Sequence, residues 1–213
     1  MTTPTTTPAK AWREMVRGNG RFIAGEPRHP RQDVERRGEL IGKQFPHAAL
    51  FGCSDSRLAA EIIFDKGLGD LFVVRNAGQV NSDSVIGSLE YAVEILGVPL
   101  IVVLGHDECG AVAAAIQCQD ENAPAIPPHI RNLIDPITDA VGRVRDRHPG
   151  TGPLDATEVG REHLRDTVAG LVAGSELMSE AIAAGTLAIV GANYRLLEGL
   201  AVPDVIVGDV QPT

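Results

Sequence analysis

Two short apolar runs in this chain each end at a glycine and are followed at once by a metal-binding residue type. The first run, 47–52, precedes Cys53, and the second, 100–105, precedes His106, with Cys109 three residues further on. Short apolar runs of this kind are typical of strands buried on both faces of a parallel sheet. Because ligands bind beyond the carboxyl ends of such strands, two thiols and one imidazole are expected at one edge of the sheet.

This constellation predicts a zinc site. Three protein ligands of the Cys and His type are found in catalytic zinc sites, where the fourth position stays open for chemistry. The alternative is two core cysteines and a hydrogen-bonded histidine, since free cysteine is among the most buried residue types. The polar residues after each run favour the metal site. Cys109 also precedes a predicted helix, whose N-terminal field stabilises a thiolate.

Asp55 and Arg57 follow Cys53 closely in the sequence. In an extended segment, residues two apart project to the same side, so both side chains are expected beside the thiol of Cys53. A structural ion pair at the end of a strand is the alternative interpretation. Beside an open zinc position, a carboxylate that binds metal, accepts a proton or pairs with Arg57 is the favoured one.

Strands and helices alternate along the chain. Strands are predicted near 47–52, 71–74, 100–104, 187–190 and 205–207, and helices near 9–24, 59–64, 82–96, 111–117, 129–147 and 155–184, with a break at Gly174. This order predicts a single α/β domain with a central, mostly parallel β-sheet flanked by helices. An N-terminal helical arm precedes the sheet, and the last strand lies at its edge.

The chain is expected to divide into three segments. Residues 1–8, rich in Thr and Pro, predict a disordered tail, residues 9–30 a helical arm with its linker, and residues 31–213 the α/β domain. Bulky apolar residues recur at helical spacing along the arm, from Trp12 to Phe22. This apolar side must pack on its own domain or on a neighbouring subunit, so a homodimer or homotetramer is expected.

Composition excludes several classes of partner. A formal net charge of −9 argues against nucleic acid, because no basic patch neutralises phosphates. The longest apolar stretch, 95–105, contains Pro99 and is too short to span a membrane. A secretory signal has a basic region followed by an apolar one, and the N-terminus does not show this pattern. Three cysteines without disulfide spacing fit a reducing cytoplasm.

The motifs C-S-D-S-R at 53–57 and G-H-D-E-C-G at 105–110 resemble the two signatures of the β-class carbonic anhydrases, and of actinobacterial members in particular. V-V-R-N-A-G at 73–78, G-S-L-E-Y-A-V at 87–93 and L-A-I-V-G at 187–191 extend the resemblance over most of the chain. It implies a zinc lyase, a carbonate dehydratase that reversibly hydrates carbon dioxide to bicarbonate and a proton by a zinc-bound hydroxide.

The resemblance also implies roles for individual residues. Cys53, His106 and Cys109 would bind one Zn²⁺ per chain. Asp55 and Arg57 would form the catalytic dyad that orients the hydroxide, or in a closed form release Asp55 to the metal. The substrate-binding residues would be Gln44 as a hydrogen-bond donor, the pocket residues Phe72, Ala77 and Tyr91, and Gly110. In this family some pocket residues come from across a dimer interface.

Two positions depart from the family pattern. Asp107 stands where many members have Ser or Thr, and Leu50 stands where members with an inhibitory bicarbonate site have Trp, although Arg75 matches another residue of that site. The remaining histidines, including His163, have no partner spacing and are interpreted as structural or exposed. Cys118 is interpreted as a core or surface thiol.

Three other functions are alternatives to this interpretation. A related zinc hydrolase of carbon disulfide or carbonyl sulfide could use the same ligands, and a non-catalytic zinc scaffold would not need Asp55 and Arg57. A thiol redox protein is disfavoured because the sequence has no C-x-x-C motif.

Overall fold

A five-stranded sheet forms the centre of the protein. The computed structural model describes residues 6–120, 123–150 and 152–211. The strands are β1 (Ala48–Cys53), β2 (Leu71–Asn76), β3 (Leu100–His106), β4 (Ala188–Arg195) and β5 (Leu200–Val207), in the spatial order β2-β1-β3-β4-β5. The first four are parallel to one another, and β5 runs antiparallel to β4 at the edge. The predicted fold class is therefore confirmed.

Helices cover both faces of this sheet. They are α1 (Pro8–Ile23), α2 (Val34–Glu39), α3 (Ala60–Ile63), α4 (Asp83–Glu94), α5 (Gly110–Gln117), α6 (Pro128–Arg147), α7 (Ala156–Gly174) and α8 (Glu176–Ala183). The predicted break at Gly174 is confirmed. Ser175 has extended backbone geometry there, and its side chain accepts a hydrogen bond from the N–H of Met178 to cap α8. None of the described helices combines the length and the apolar run needed to cross a membrane.

The strand β3 is buried along its whole length and separates two apolar cores. Leu100, Val102 and Leu104 face the core covered by α1, α5 and α6. Ile101 and Val103 face the core covered by α4, α7 and α8. This alternation follows from the two-residue period of a strand. The continuous apolar run that predicted β3 thus reflects burial on both faces.

The N-terminal helix packs on its own domain. Trp12 and Met15 are each 1% exposed and belong to the first core. Asn19 donates from Nδ2 to the carbonyl of Gly199 at 2.8 Å, and its Oδ1 accepts from the N–H of Ala201 at 3.0 Å. The apolar side of this helix therefore lies against the β4–β5 hairpin of the same chain.

The predicted tail of residues 1–8 extends too far, because α1 begins within it at Pro8. Pro8 is buried at the first position of α1, where its missing N–H costs nothing, and Thr7 caps the helix by accepting from the N–H of Lys10. Residues 1–5 lie outside the described residues. A division into a tail, an arm and a domain remains a prediction, and the apolar residues of α1 share a core with the sheet.

The edge strand is longer than the apolar run 205–207 indicated. It begins at Leu200 and contains Pro203 and Asp204, which interrupt the apolar run in the sequence. Pro203 is tolerated because β5 is an edge strand with an irregular register opposite Gly191 and Ala192. Asp204 is 3% exposed at its side chain and pairs with Arg161 and Arg165 of α7.

Candidate metal centre

Two neighbouring strands and one helix bring three candidate ligands together. Cys53 is the last residue of β1, and His106 is the last residue of β3. These strands are parallel neighbours, with Gly52 opposite Leu104, so their carboxyl ends meet at one edge. Cys109 lies immediately before α5 as its N-cap residue. All three residues are buried, and their ligand atoms lie within 4.8 Å of one another.

The imidazole of His106 has the protonation pattern that a metal ligand needs. Its Nδ1 lies 2.8 Å from the carbonyl oxygen of Asp107, which can only accept, so Nδ1 carries the proton. Its Nε2 therefore presents a lone pair, which is buried and has no hydrogen-bond partner among the described residues. Metal-bound histidines almost always donate their other N–H to a carbonyl or carboxylate. The donor set of two thiols and this nitrogen fits Zn²⁺.

The two thiols influence each other strongly. A hydrogen bond from Cys109 is the main reason that the pKa of Cys53 falls to about 4, against the opposing effect of burial; His106 and the N–H of Gly78 also lower it. The same contact with Cys53, together with burial, raises the pKa of Cys109. One thiolate is therefore readily formed, and a cation is needed to stabilise the second.

A tight loop after β2 supports the thiolate of Cys53. The N–H of Gly78 donates to Cys53 Sγ at 3.3 Å. Gly78 has φ +80°, and a Cβ there would lie 2.8 Å from Cβ of Ala111, so this position requires glycine. Asn76 closes the loop by accepting from the N–H of Val80 at 2.8 Å and donating to its carbonyl at 2.7 Å.

Arg75 stabilises the segment that carries the candidate dyad. Its Nε donates to the carbonyl of Cys53 at 2.9 Å, and its Nη2 donates to that of Asp55 at 2.6 Å. The sequence connects Arg75 only with an inhibitory site and predicts no role for Asn76 or Gly78. The signal for all three was their place in the motif V-V-R-N-A-G.

Asp55 and Arg57 form a close ion pair beside the ligands. Arg57 donates from Nε to Asp55 Oδ1 at 3.0 Å and from Nη2 to Oδ2 at 2.8 Å. This side-chain hydrogen bond is the main reason that the pKa of Asp55 falls to about 2. Glu108 adds a second carboxylate, whose Oε2 lies 3.2 Å from Nη1 of Arg57. The carboxylate of Asp55 is thus ionised and oriented by Arg57.

The candidate substrate residues are spread over a wider region. Ala77 is exposed and directly precedes Gly78, and Gly110 is exposed at the start of α5. Gln44 is exposed in the loop between α2 and β1. Gly110 therefore follows Cys109 directly in the chain, and Ala77 adjoins the glycine whose N–H contacts Cys53, whereas Gln44 comes from the opposite end of β1.

Phe72 and Tyr91 form a pair with ring centroids 6.2 Å apart. Phe72 lies opposite Ala49, four register positions before the pairing of Cys53 with Asn76. At roughly 3.3 Å a residue, this is about 13 Å along the strand from the metal edge. Within one chain, the aromatic pair therefore lies toward the other end of β1 and β2.

The side chain of Asp107 has a structural role that the difference from Ser or Thr in the family pattern did not predict. Its Oδ1 accepts from the N–H of Leu196 in the β4–β5 turn at 2.9 Å. Its main-chain carbonyl is the acceptor for His106. The residue thus joins the histidine to the hairpin that contacts α1.

Comparison with known proteins identifies relatives over nearly the whole chain. A family model described as carbonic anhydrase matches residues 48–201, which include all three candidate ligands. Carbonic anhydrase 2 of Mycobacterium tuberculosis is 50% identical over 200 residues, which cover 93% of this chain and 94% of that protein. The carbonic anhydrase of Mycolicibacterium smegmatis is 47% identical over 197 residues, covering 92% and 93% of the two chains.

A solved structure shows the same fold. It is one of two tetrameric β-carbonic anhydrases of Sordaria macrospora, with a TM-score of 0.73 and 21% identity, covering 93% of this chain and 100% of that one. The family model and the mycobacterial relatives establish the family, so this chain belongs to the carbonic anhydrases, and its fold is that of the β-class.

Proposed function

We propose that this chain is a zinc-dependent lyase that catalyses the reversible hydration of carbon dioxide to bicarbonate and a proton. One observation carries the proposal. The ligand atoms of Cys53, His106 and Cys109 lie within 4.8 Å of one another, in a chain that is 50% identical to a carbonic anhydrase over 93% of its length.

Cys53, His106 and Cys109 would bind one Zn²⁺ per chain. When bound, zinc would act as a Lewis acid and lower the pKa of coordinated water. The N–H of Gly78 stabilises the thiolate of Cys53, and the carbonyl of Asp107 keeps the proton of His106 on Nδ1. These contacts support a ligand set with two thiolates and one neutral imidazole.

Asp55 would act as the hydrogen-bond acceptor for the attacking hydroxide. Its carboxylate is ionised well below neutral pH, so it accepts and does not donate. Accepting a hydrogen bond from the nucleophile directs an oxygen lone pair toward carbon dioxide. The two hydrogen bonds from Arg57 hold the carboxylate in this role and away from the metal.

Substrate would bind between apolar groups and a small number of donors. Gln44, which lies at the opposite end of β1 from Cys53, would donate a hydrogen bond to a reacting oxygen in the site of a second copy. Ala77 would contribute apolar surface beside Gly78. Gly110 is the first residue of α5, and the N-terminus of this helix would lie beside the bicarbonate anion there. A small apolar substrate that becomes an anion suits such a mixture.

A homodimer or homotetramer would complete the pocket. Phe72 and Tyr91 lie about 13 Å along β2 from the metal edge by strand spacing, too far to serve the site of their own chain. Tyr91 is 47% exposed, which leaves this face available to a second copy. The tetrameric state of the Sordaria relative supports such an assembly.

The cytoplasm is the proposed location. Cys53, Cys109 and Cys118 are all free thiols, and two of them would have to stay reduced to bind zinc.

The function is tested by stopped-flow hydration of carbon dioxide on protein whose zinc content has been measured. Turnover should scale with bound zinc and disappear with chelation. Carbon disulfide and carbonyl sulfide are assayed in parallel. Zinc-loaded protein that turns over either of these gases but not carbon dioxide would contradict the proposal, as would protein inert toward all three.

A further inference from the structure

One buried histidine contacts the loop that supports the thiolate of Cys53. His163 lies on α7 and is 3% exposed. Its Nε2 lies 2.7 Å from the carbonyl oxygen of Gly78. The N–H of the same glycine donates to Cys53 Sγ. A single residue therefore lies between the imidazole and the candidate metal ligand.

The direction of this hydrogen bond follows from the acceptor. A carbonyl oxygen only accepts, so Nε2 of His163 carries the proton and Nδ1 carries a lone pair. Burial lowers the pKa of His163, which favours this neutral form. The lone pair on Nδ1 is buried and finds no partner within residues 6–120, 123–150 and 152–211.

This arrangement is costly if His163 serves packing alone. A buried polar atom without a partner is destabilising, and an apolar side chain of similar size would avoid that cost. Such an exception in a native protein calls for an explanation. The donor on Nε2 is the part of the side chain that has a partner, and that partner is Gly78.

The position of this loop is fixed by close contacts on several sides. Gly78 has φ +80° and lies so close to α5 that a Cβ would come within 2.8 Å of Ala111. Asn76 closes the loop on the sheet side. His163 holds it from α7, which packs on the second core. A shift of the carbonyl of Gly78 would move its N–H relative to Cys53 Sγ.

We propose that His163 is a positioning residue of the metal centre. By donating Nε2–H to the carbonyl of Gly78, it keeps the N–H of Gly78 directed at the thiolate of Cys53. The hydrogen bond withdraws charge from the sulfur and stabilises it as a ligand. This inference rests on the proposed function, since it requires a metal bound through Cys53.

The test compares variants at His163 by metal release and by spectroscopy. His163→Leu removes the donor and keeps the bulk, and His163→Asn shortens the side chain so that the carbonyl is out of reach. Both should lose zinc to a chelator about tenfold faster than the wild type, as is usual for partners of metal ligands. In the cobalt-substituted protein, their thiolate-to-cobalt absorption should shift to lower energy, because the sulfur becomes more electron-rich. His163→Gln, which retains a donor near the Nε2 position, should restore both properties.

Thr167→Val is the matched control. Thr167 lies one turn further along α7. Its hydroxyl is placed to donate either to the carbonyl of His163 at 2.9 Å or to the carbonyl of Gln79 in the same loop at 3.3 Å. This variant should keep the wild-type absorption and release rate even if it melts earlier. The proposal is overturned if His163→Leu and His163→Asn keep wild-type absorption and release, if His163→Gln fails to restore them, or if Thr167→Val reproduces the change. A wild-type protein that binds neither zinc nor cobalt would instead overturn the proposed function.

Discussion

The guanidinium of Arg57 donates to both carboxylate oxygens of Asp55, from Nε at 3.0 Å and from Nη2 at 2.8 Å. A planar fork of donors matches a carboxylate in a way that the single ammonium of lysine cannot. Arg57 therefore fixes the orientation of the Asp55 carboxylate through the geometry of its hydrogen bonds as well as through its charge.

Arg57→Lys should keep zinc and lower kcat/KM for carbon dioxide hydration by roughly tenfold or more. The positive charge survives in this variant, but the paired hydrogen bonds that orient Asp55 do not. Steady-state kinetics on zinc-quantified protein is the measurement, with Arg145→Lys on an exposed part of α6 as control. Wild-type kcat/KM in a zinc-replete Arg57→Lys protein would remove this residue from the catalytic group.

Loss of any one candidate ligand should release the metal. Elemental analysis of Cys53→Ser, His106→Ala and Cys109→Ser should give zinc well below one per chain. Cys118→Ser should remain fully loaded, because Cys118 donates to the carbonyl of Ala115 on α5 and lies outside the cluster. A ligand variant with full zinc occupancy would exclude that residue from the set.

Gln44→Ala should keep both zinc and fold and should lower turnover. Losing one donor directed at a reacting oxygen typically raises the barrier by about 3 kcal/mol. Gln44 is exposed in a loop, so little stability depends on it. Circular dichroism, zinc content and stopped-flow rates are measured together. Unchanged kinetics with normal zinc content would count against a role in substrate binding.

The protein should sediment at micromolar concentration as two or four chains. Tyr91→Arg places a charge on the proposed contact face and should weaken association and activity together while leaving zinc bound. Leu197→Arg is the control, because Leu197 is 94% exposed in the β4–β5 turn. A clean monomer with full activity would show that one chain is sufficient.

Asp70 should contribute stability that disappears in acid. Burial raises the pKa of its carboxyl, but hydrogen bonds from Arg31 and from the N–H of Gly67 outweigh that effect and lower the pKa. The folded pKa thus lies below the unfolded value of about 4. Its stabilisation is complete above that pH and is lost as the pH falls through the folded pKa.

Asp70→Asn should therefore reduce the free energy of unfolding at pH 7 by about 2 kcal/mol. The difference from the wild type should shrink on acidification below about pH 4. Urea unfolding at equal protein concentration measures both values, with Asp139→Asn on the exposed side of α6 as control. A difference that stays constant from neutral to acid pH would contradict the assignment.

Much of the metal centre could be predicted because its signals are local. Cys53 and His106 each end a run of buried residues, and parallel neighbouring strands must bring their carboxyl ends to one edge. The break after Gly174 and the central strand β3 were visible for the same reason, since period and apolar runs report which faces are buried. The short helix α2 was missed because none of its residues is buried.

The tertiary structure decided what joins residues that are distant in the chain. His163 and Gly78 are 85 positions apart, and Asn19 and Ala201 are 182 apart. No period in the sequence reports such a contact, because it depends on how α7 and α1 pack on the completed sheet. The register of β2 likewise decided that Phe72 lies far from the metal edge of its own chain. The sequence alone determined which side chains meet at the ends of the strands, because adjacent parallel strands leave no other choice. Only the packing of helices on the sheet determined which residues support those side chains.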